Sequence, residues 1–293
     1  MPPRIAAHLI VGPREEPFLG ALLASLDGVA GRVIVNDNSP GESPHTETLQ
    51  NSAFAARGAL VVDRTPFSGF ADARNACMRL HEKLDAGDWV AFIDSDEVHG
   101  DAAKQVAANL GEVPAEYDRV EGYTWHFFGS FDWYMSIERR LMFHRFRPGV
   151  HWEGAVHEQL RGLPGKSLIL PYVYAHYGHT LDVERHAEKE WHYTNLGAPS
   201  KVTDVAQLRD IDVPAYFAEY YPRLMRFHGT HPPAARPTIE RLSTELEPLH
   251  RLTEQHAREQ TPATRLRNAV RRLNYEQRWR LRGLNPIARR LMQ

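Results

Sequence analysis

Residues 88–100 read DWVAFIDSDEVHG. Trp89, Val90, Ala91, Phe92 and Ile93 form an unbroken apolar run of strand length, the pattern of a strand covered on both faces. The run then breaks into Asp94, Asp96 and Glu97. Carboxylates crowded in this way repel one another at neutral pH. A cation is therefore expected beside them, and hard divalent ions favour such oxygen ligands. The alternative is an acidic turn that caps the positive end of a following helix.

The segments before this stretch alternate. Ile5 to Val11 is apolar and partly β-branched, and Phe18, Leu19, Leu22, Leu23 and Leu26 then recur on one helical face. Arg32 to Val35 repeats the strand pattern and runs into the turn Asn36, Asp37, Asn38, Ser39, Pro40. A third strand is predicted at Ala59 to Val62 and, after the break at Pro66 to Gly69, a helix over Ala71 to Leu84 with Cys77 as a buried structural thiol. Strands and helices at these spacings predict an α/β fold with a mostly parallel sheet, which binds ligands beyond the carboxyl ends of its strands. Asp37 and the Asp94/Asp96/Glu97 cluster both sit at such ends, and that convergence favours a metal site over a helix cap.

These residues also carry a resemblance. VIVNDNSP at 33–40, FSGFADARNACMRL at 67–80 and DWVAFIDSDE at 88–97, in this order, resemble the family 2 glycosyltransferases of the GT-A fold, over about residues 4–180. One departure is Gly12, Pro13, Arg14, where many relatives have a polar residue and Asn before Glu. The resemblance implies a Rossmann-like GT-A domain over 1–180, with a mostly parallel central sheet and a small antiparallel part. Its nucleotide-sugar half would be 1–100 and its acceptor half 101–180. The Asp-x-Asp signature falls on Asp94, Ser95 and Asp96. By this likeness Asp37, Arg74, Asp94 and Ser95 bind the donor, a nucleoside diphosphate sugar that in the family is often a UDP sugar. Mn²⁺ or Mg²⁺ would be held by Asp94, Asp96 and His176, with His179 of AHYGHT (175–180) as the alternative to His176. A branch of the family has a Gly-x-x-His-Glu element where the acceptor hydroxyl is deprotonated. In HWEGAVHEQL (151–160) it maps to Gly154, His157 and Glu158, with Glu158 as base and His157 orienting or replacing it. Transfer would invert the anomeric carbon.

Beyond Gly100 the alternation stops. Strands are predicted at Val120 to Phe128, Arg140 to Phe146 and Ser167 to Tyr174, around a segment dense in aromatics. Most such rings pack a core, but Trp133 and Trp152 are candidate platforms for a sugar ring of the donor or of a glycan, glycolipid or other hydroxyl acceptor. From Leu181 onward a helical extension, 181–293, is predicted, with helices over Asp182 to Leu196, Ala215 to Phe227 and Thr238 to Glu259. HAEKEWH at 186–192 lacks the i, i+4 histidine spacing of a helical zinc pair and reads as surface.

Charge is uneven. The segment 264–293 holds nine arginines against one acid, Glu276, a net +8, which leaves −10 for the rest of a chain of formal charge −2. Such a basic amphipathic helix suits an anionic membrane, nucleic-acid phosphate or the negative body of the protein itself. No apolar run reaches the roughly 20 residues that span a bilayer, so a cytoplasmic protein is expected, with peripheral contact to the inner membrane face as one option. The competing activities are a sugar nucleotidyltransferase, whose glycine-rich basic loop is missing from Ile10 to Glu16, and a metal-dependent phosphoesterase. A nucleic-acid-binding protein, or a transferase directed to nucleic acid by the arginine-rich tail, is the third reading.

Overall fold

The structure is a computed structural model that describes residues 3–156 and 158–293. Its first part follows the expected alternation: β1 (Ile5–Val11), α1 (Leu19–Leu26), β2 (Arg32–Asp37), the short helices α2 (Thr46–Gln50) and α3 (Ala53–Ala56), β3 (Leu60–Arg64), α4 (Phe70–Leu84) and β4 (Trp89–Phe92). Strands β3, β2, β1 and β4 lie side by side and parallel. The apolar run of 89–91 is buried, as its composition requires, and the acids follow at the carboxyl end of β4.

The second part contains β5 (Glu97–Val98), α5 (Ala102–Asn109), β6 (Tyr117–Phe128), β7 (Trp133–Arg145), the small hairpin β8 (His151–Glu153) and β9 (Gln159–Arg161), and β10 (Lys166–His179). β7 joins the sheet antiparallel to both β4 and β6, β10 runs parallel to β6, and β5 pairs antiparallel with β10. The fold is thus mixed α/β with C-terminal helices, as expected. β10 runs five residues past the predicted end at Tyr174, through AHYGH. Its polar letters hid a strand because Tyr177 is fully buried, stacked on Phe18 at 4.2 Å. Most of the dense aromatics are core as well, Phe127, Phe131 and Tyr134 packing with them.

The C-terminal helices are α6 (Val183–Asn195), α7 (Val213–Phe217), α8 (Arg236–Glu245), α9 (Glu247–Arg258), α10 (Pro262–Arg282) and α11 (Pro286–Leu291). The helix predicted over 215–227 ends early. Pro222 lacks the N–H that would continue it, and a 3₁₀ turn at Tyr221–Arg223 leads instead into a short strand, β11 (Met225–Arg226), paired with β7. The predicted 238–259 helix is two, with Pro248 in the first turn of the second. The basic tail is docked: Ala288 and Leu291 of α11 are buried in the main core, and Trp279 of α10 meets Trp125 edge-on at 5.7 Å. Among the described residues, no helix is long and apolar enough to cross a membrane.

Under β1 and β4 lie three buried histidines. His8 Nε2 is 3.0 Å from His81 Nδ1, and His144 Nδ1 is 3.0 Å from the carbonyl oxygen of Arg145. Burial lowers all three, His144 to about 4 from an ordinary 6.5. Unfolding lets these rings take up protons, so their contribution is present above pH 6.5 and is lost as pH falls from 6.5 toward 4. Thermal denaturation is expected to show Tm falling by about 5 °C or more on acidification through that window, with a shallower fall in His144→Gln. A flat Tm would show that these rings do not hold the neutral form.

Candidate functional site

A cleft of about 1920 Å³ opens along the carboxyl ends of the parallel strands. Single-ligand pockets run to roughly 300–1,000 Å³, so this one has room for two substrates. One wall is the β2 turn, through Asn38, Ser39 and Pro40; the floor is Asp94, Ser95 and Asp96; the far wall is the 151–160 hairpin with β6, β7 and β10. Helix α6 contributes Lys189, His192 and Tyr193.

The acids of the floor are not equivalent. Asp94 accepts from Arg74 Nη2 at 2.6 Å and from Arg140 Nη2 at 2.7 Å, so both of its oxygens are taken by guanidinium groups. Burial alone would raise its pKa, but the two arginines outweigh that and hold it below the ordinary carboxylate value. Glu97 is 1 % exposed and accepts from the Asp94 backbone N–H at 2.9 Å. Burial, then the Asp94 charge, push it up to about 8, which keeps it protonated at neutral pH. Asp96 is raised by burial and by Asp94, against the pull of Lys189.

Strand pairing gathers the histidines. The β6–β10 register sets His126 beside His176, and the β5–β10 register sets His176 opposite Glu97. His126, His176 and His179 each offer a ring nitrogen within 4.8 Å of the others, and His176 Nε2 lies 3.4 Å from Asp96 Oδ1. Burial brings His126 and His176 down to about 3 and lowers His179 further, so all three rings are neutral and keep a lone pair for a ligand. Asp96 Oδ1, His126 Nε2, His176 Nδ1 and His179 Nδ1 are buried with no hydrogen-bond partner among the described residues. The three histidine rings converge, and orphaned buried polar atoms that converge are what a bound cation would satisfy. This donor set fits a divalent ion. Three imidazoles, with the Asp96 carboxylate beside His176, suit a first-row transition ion better than Mg²⁺, which prefers oxygen alone. Gly178 belongs to this cluster, since a Cβ there would overlap the Asp96 carboxylate.

Across the floor, His151–Glu153 pairs antiparallel with Gln159–Arg161 as the β8–β9 hairpin, with Gly154 following β8 at φ +108°. Asn75 on α4 clamps it, donating to the Trp152 carbonyl at 2.9 Å and accepting from the Trp152 N–H at 2.8 Å. The preceding residue, Arg74, donates from Nε to Glu158, so one guanidinium bridges Glu158 and Asp94. Trp152 lines the cleft, its ring stacked on Phe92 at 4.7 Å. His157 lies outside the described residues.

Trp133 and Asp37 are not brought to the cleft surface. Trp133 is 8 % exposed; it packs with Phe128, Phe217 and Tyr221 and donates its indole N–H to Glu254 on α9. Asp37 is 2 % exposed and accepts from the Ser39 N–H at 2.9 Å, which folds the turn that presents Asn38 and Ser39. Gly154 too falls outside the lining.

Four contributors escaped the sequence reading: Arg140, His126, Gly178 and Lys189. HAEKEWH, expected at the surface, is half turned inward. His186 is buried, and Lys189 has its charged form favoured, despite burial, by Tyr193 and then Asp96, Asp94 and Glu16.

No protein-family model matches the chain, and no curated protein sequence does. Solved structures similar to it include the mannosyltransferase PcManGT from Pyrobaculum calidifontis in complex with GDP-Man and Mn²⁺, at 14 % identity and a TM-score of 0.44, covering 100 % of this chain and 86 % of that one. GalNAc-T7 with UDP, GalNAc and Mn²⁺ is similar at 12 % identity and a TM-score of 0.33, over 42 % of this chain and 23 % of that one. S. aureus TarS 1–349 with UDP-GlcNAc is similar at 19 % identity and a TM-score of 0.31, over 42 % and 34 %. Likenesses at these scores leave the chemistry to the side chains of the cleft.

Proposed function

We propose that the protein is a glycosyltransferase of the GT-A kind that moves a sugar from a nucleoside diphosphate donor to a hydroxyl acceptor with inversion, using a divalent ion. The observation that carries this reading is the two-sided cleft. On one side a buried carboxylate and three neutral histidines leave their ligand atoms unsatisfied; on the other, Glu158 is tethered to the same floor through Arg74. Asp96 and His176, with His126 and His179, would hold the ion. When bound, the ion supplies charge neutralisation to the departing diphosphate. Arg74, Arg140 and Lys189 add fixed positive charge along that path, and Asn38 and Ser39 line the wall where the nucleoside would lie. Trp152, buried on Phe92, backs this wall of the cleft, and Glu158 takes the proton of the acceptor hydroxyl.

Thermal-shift measurement with UDP, GDP, dTDP and CDP sugars tests this. In the presence of Mn²⁺ one of them is expected to raise stability by about 2.7 kcal/mol at 100 times its dissociation constant, with a smaller effect after EDTA. No shift with any donor would overturn the reading. Donor cleavage at full rate without acceptor would mark a phosphoesterase instead.

A further inference from the structure

Helix α10 has two unlike faces. One is fixed to the body: Asn268 donates to the Leu224 carbonyl at 3.1 Å, Arg271 to the Met135 carbonyl at 3.1 Å, and Trp279 packs on Trp125. The other carries Leu266, Val270, Leu273 and Leu281, which are 68, 50, 53 and 62 % exposed, with Leu284 just past its end at 67 %. Of the eight exposed large apolar side chains among the described residues, five are in this row. Wheel positions put Leu266, Val270 and Leu273 on one line and Arg265, Arg267 and Arg278 on its two flanks. Arg267 and Arg278 are exposed and have no carboxylate within ion-pair distance among the described residues.

We infer that this face is a docking surface for an anionic lipid bilayer, on which α10 lies flat. The helix is already folded and anchored by its other face, so it spends no ordering entropy on arrival. From Leu266 to Leu281 the row is about 22 Å long. Exposed apolar side chains, interrupted by Gln277 and Arg280 and flanked by further arginines, match an acyl region bordered by anionic headgroups. A nucleic acid would engage the arginines and leave the leucines in water, and a second copy pairing through the row would set arginine against arginine. Met135, held by Arg271, also lines the cleft, so the anchored face of α10 adjoins the site's rim. The inference stands on the surface of α10 and not on the reading of the cleft.

Flotation of the full chain with vesicles tests it, comparing phosphatidylcholine containing roughly 30 mol % phosphatidylglycerol with phosphatidylcholine alone. The chain is expected to float with the anionic vesicles and about tenfold less with the neutral ones. The variant Leu266→Ser/Val270→Ser/Leu273→Ser, the independent pair Leu281→Ser/Leu284→Ser and the charge pair Arg267→Gln/Arg278→Gln each weaken flotation, with Tm unchanged because these side chains are exposed. Wild-type flotation that fails, that ignores lipid charge or that survives all three sets of substitutions overturns the proposal. So does a dimer, in sedimentation velocity without lipid, that the triple serine variant abolishes, since the face then belongs to a second copy. RNA binding without vesicle flotation overturns it too.

Discussion

Asp96→Ala is expected to lower kcat for glycosyl transfer by about 10³-fold or more while leaving Tm in EDTA no lower than that of the wild type. A 10³-fold loss is about 4 kcal/mol of transition-state stabilisation, within reach of a single metal ligand facing a diphosphate leaving group. The fold does not lean on this carboxylate: its Oδ1 has no hydrogen-bond partner among the described residues, and burial beside Asp94 raises its pKa. Asp94→Ala is the contrasting variant. It leaves Arg74 and Arg140 without the oxygens they share, and unpairing such charges costs about 3 kcal/mol, the low end for a buried pair. That variant is therefore expected to lose several degrees of Tm along with activity. Mn²⁺ should raise the Tm of Asp94→Ala but not that of Asp96→Ala. If both variants kept the Mn²⁺ response, the ion would not sit on Asp96. If neither did, the division of labour between the two acids would be wrong.

What could be read from the chain and what could not divide along a physical line. The run 89–93 announced β4, and its break announced the acids, because a strand buried on two faces must be continuously apolar and its end must turn. The α4 motif likewise delivered Arg74 next to Asn75, two residues one rise apart that together pin the hairpin carrying Glu158. Arg140 and His126 stayed hidden because they lie in mid-strand, on β7 and β6. A charged residue there reads as a solvated face until the partner strand is known. The pairing of His126 with His176 depends on the β6–β10 register, which two strands some fifty residues apart do not declare in their composition. Lys189 needed a tertiary fact, that α6 packs over the cleft mouth. Gly178 needed another, that Asp96 occupies the space where its Cβ would be.

Glu158→Gln separates chemistry from binding at the same floor. Of the carboxylates at the floor and hairpin, Asp94, Glu97 and Glu158 differ in what already occupies their oxygens. Asp94 has both oxygens on arginines, and Glu97 is buried and raised to about 8, so at neutral pH it already holds the proton a base must accept. Glu158 lines the cleft on the hairpin wall, and its hydrogen bond among the described residues is the one it accepts from Arg74 Nε. A glutamine there can still accept from Arg74, so the hairpin and the donor site are expected to remain as they are. kcat is then expected to fall by about 10³-fold, the range seen when a general base is lost, while the donor-induced rise in Tm is retained. The same loss with an abolished donor response would make Glu158 a positioning residue that acts through Arg74. Undiminished turnover in Glu158→Gln at every pH tested would move the base to another group, with His157, its neighbour in sequence, the first to replace.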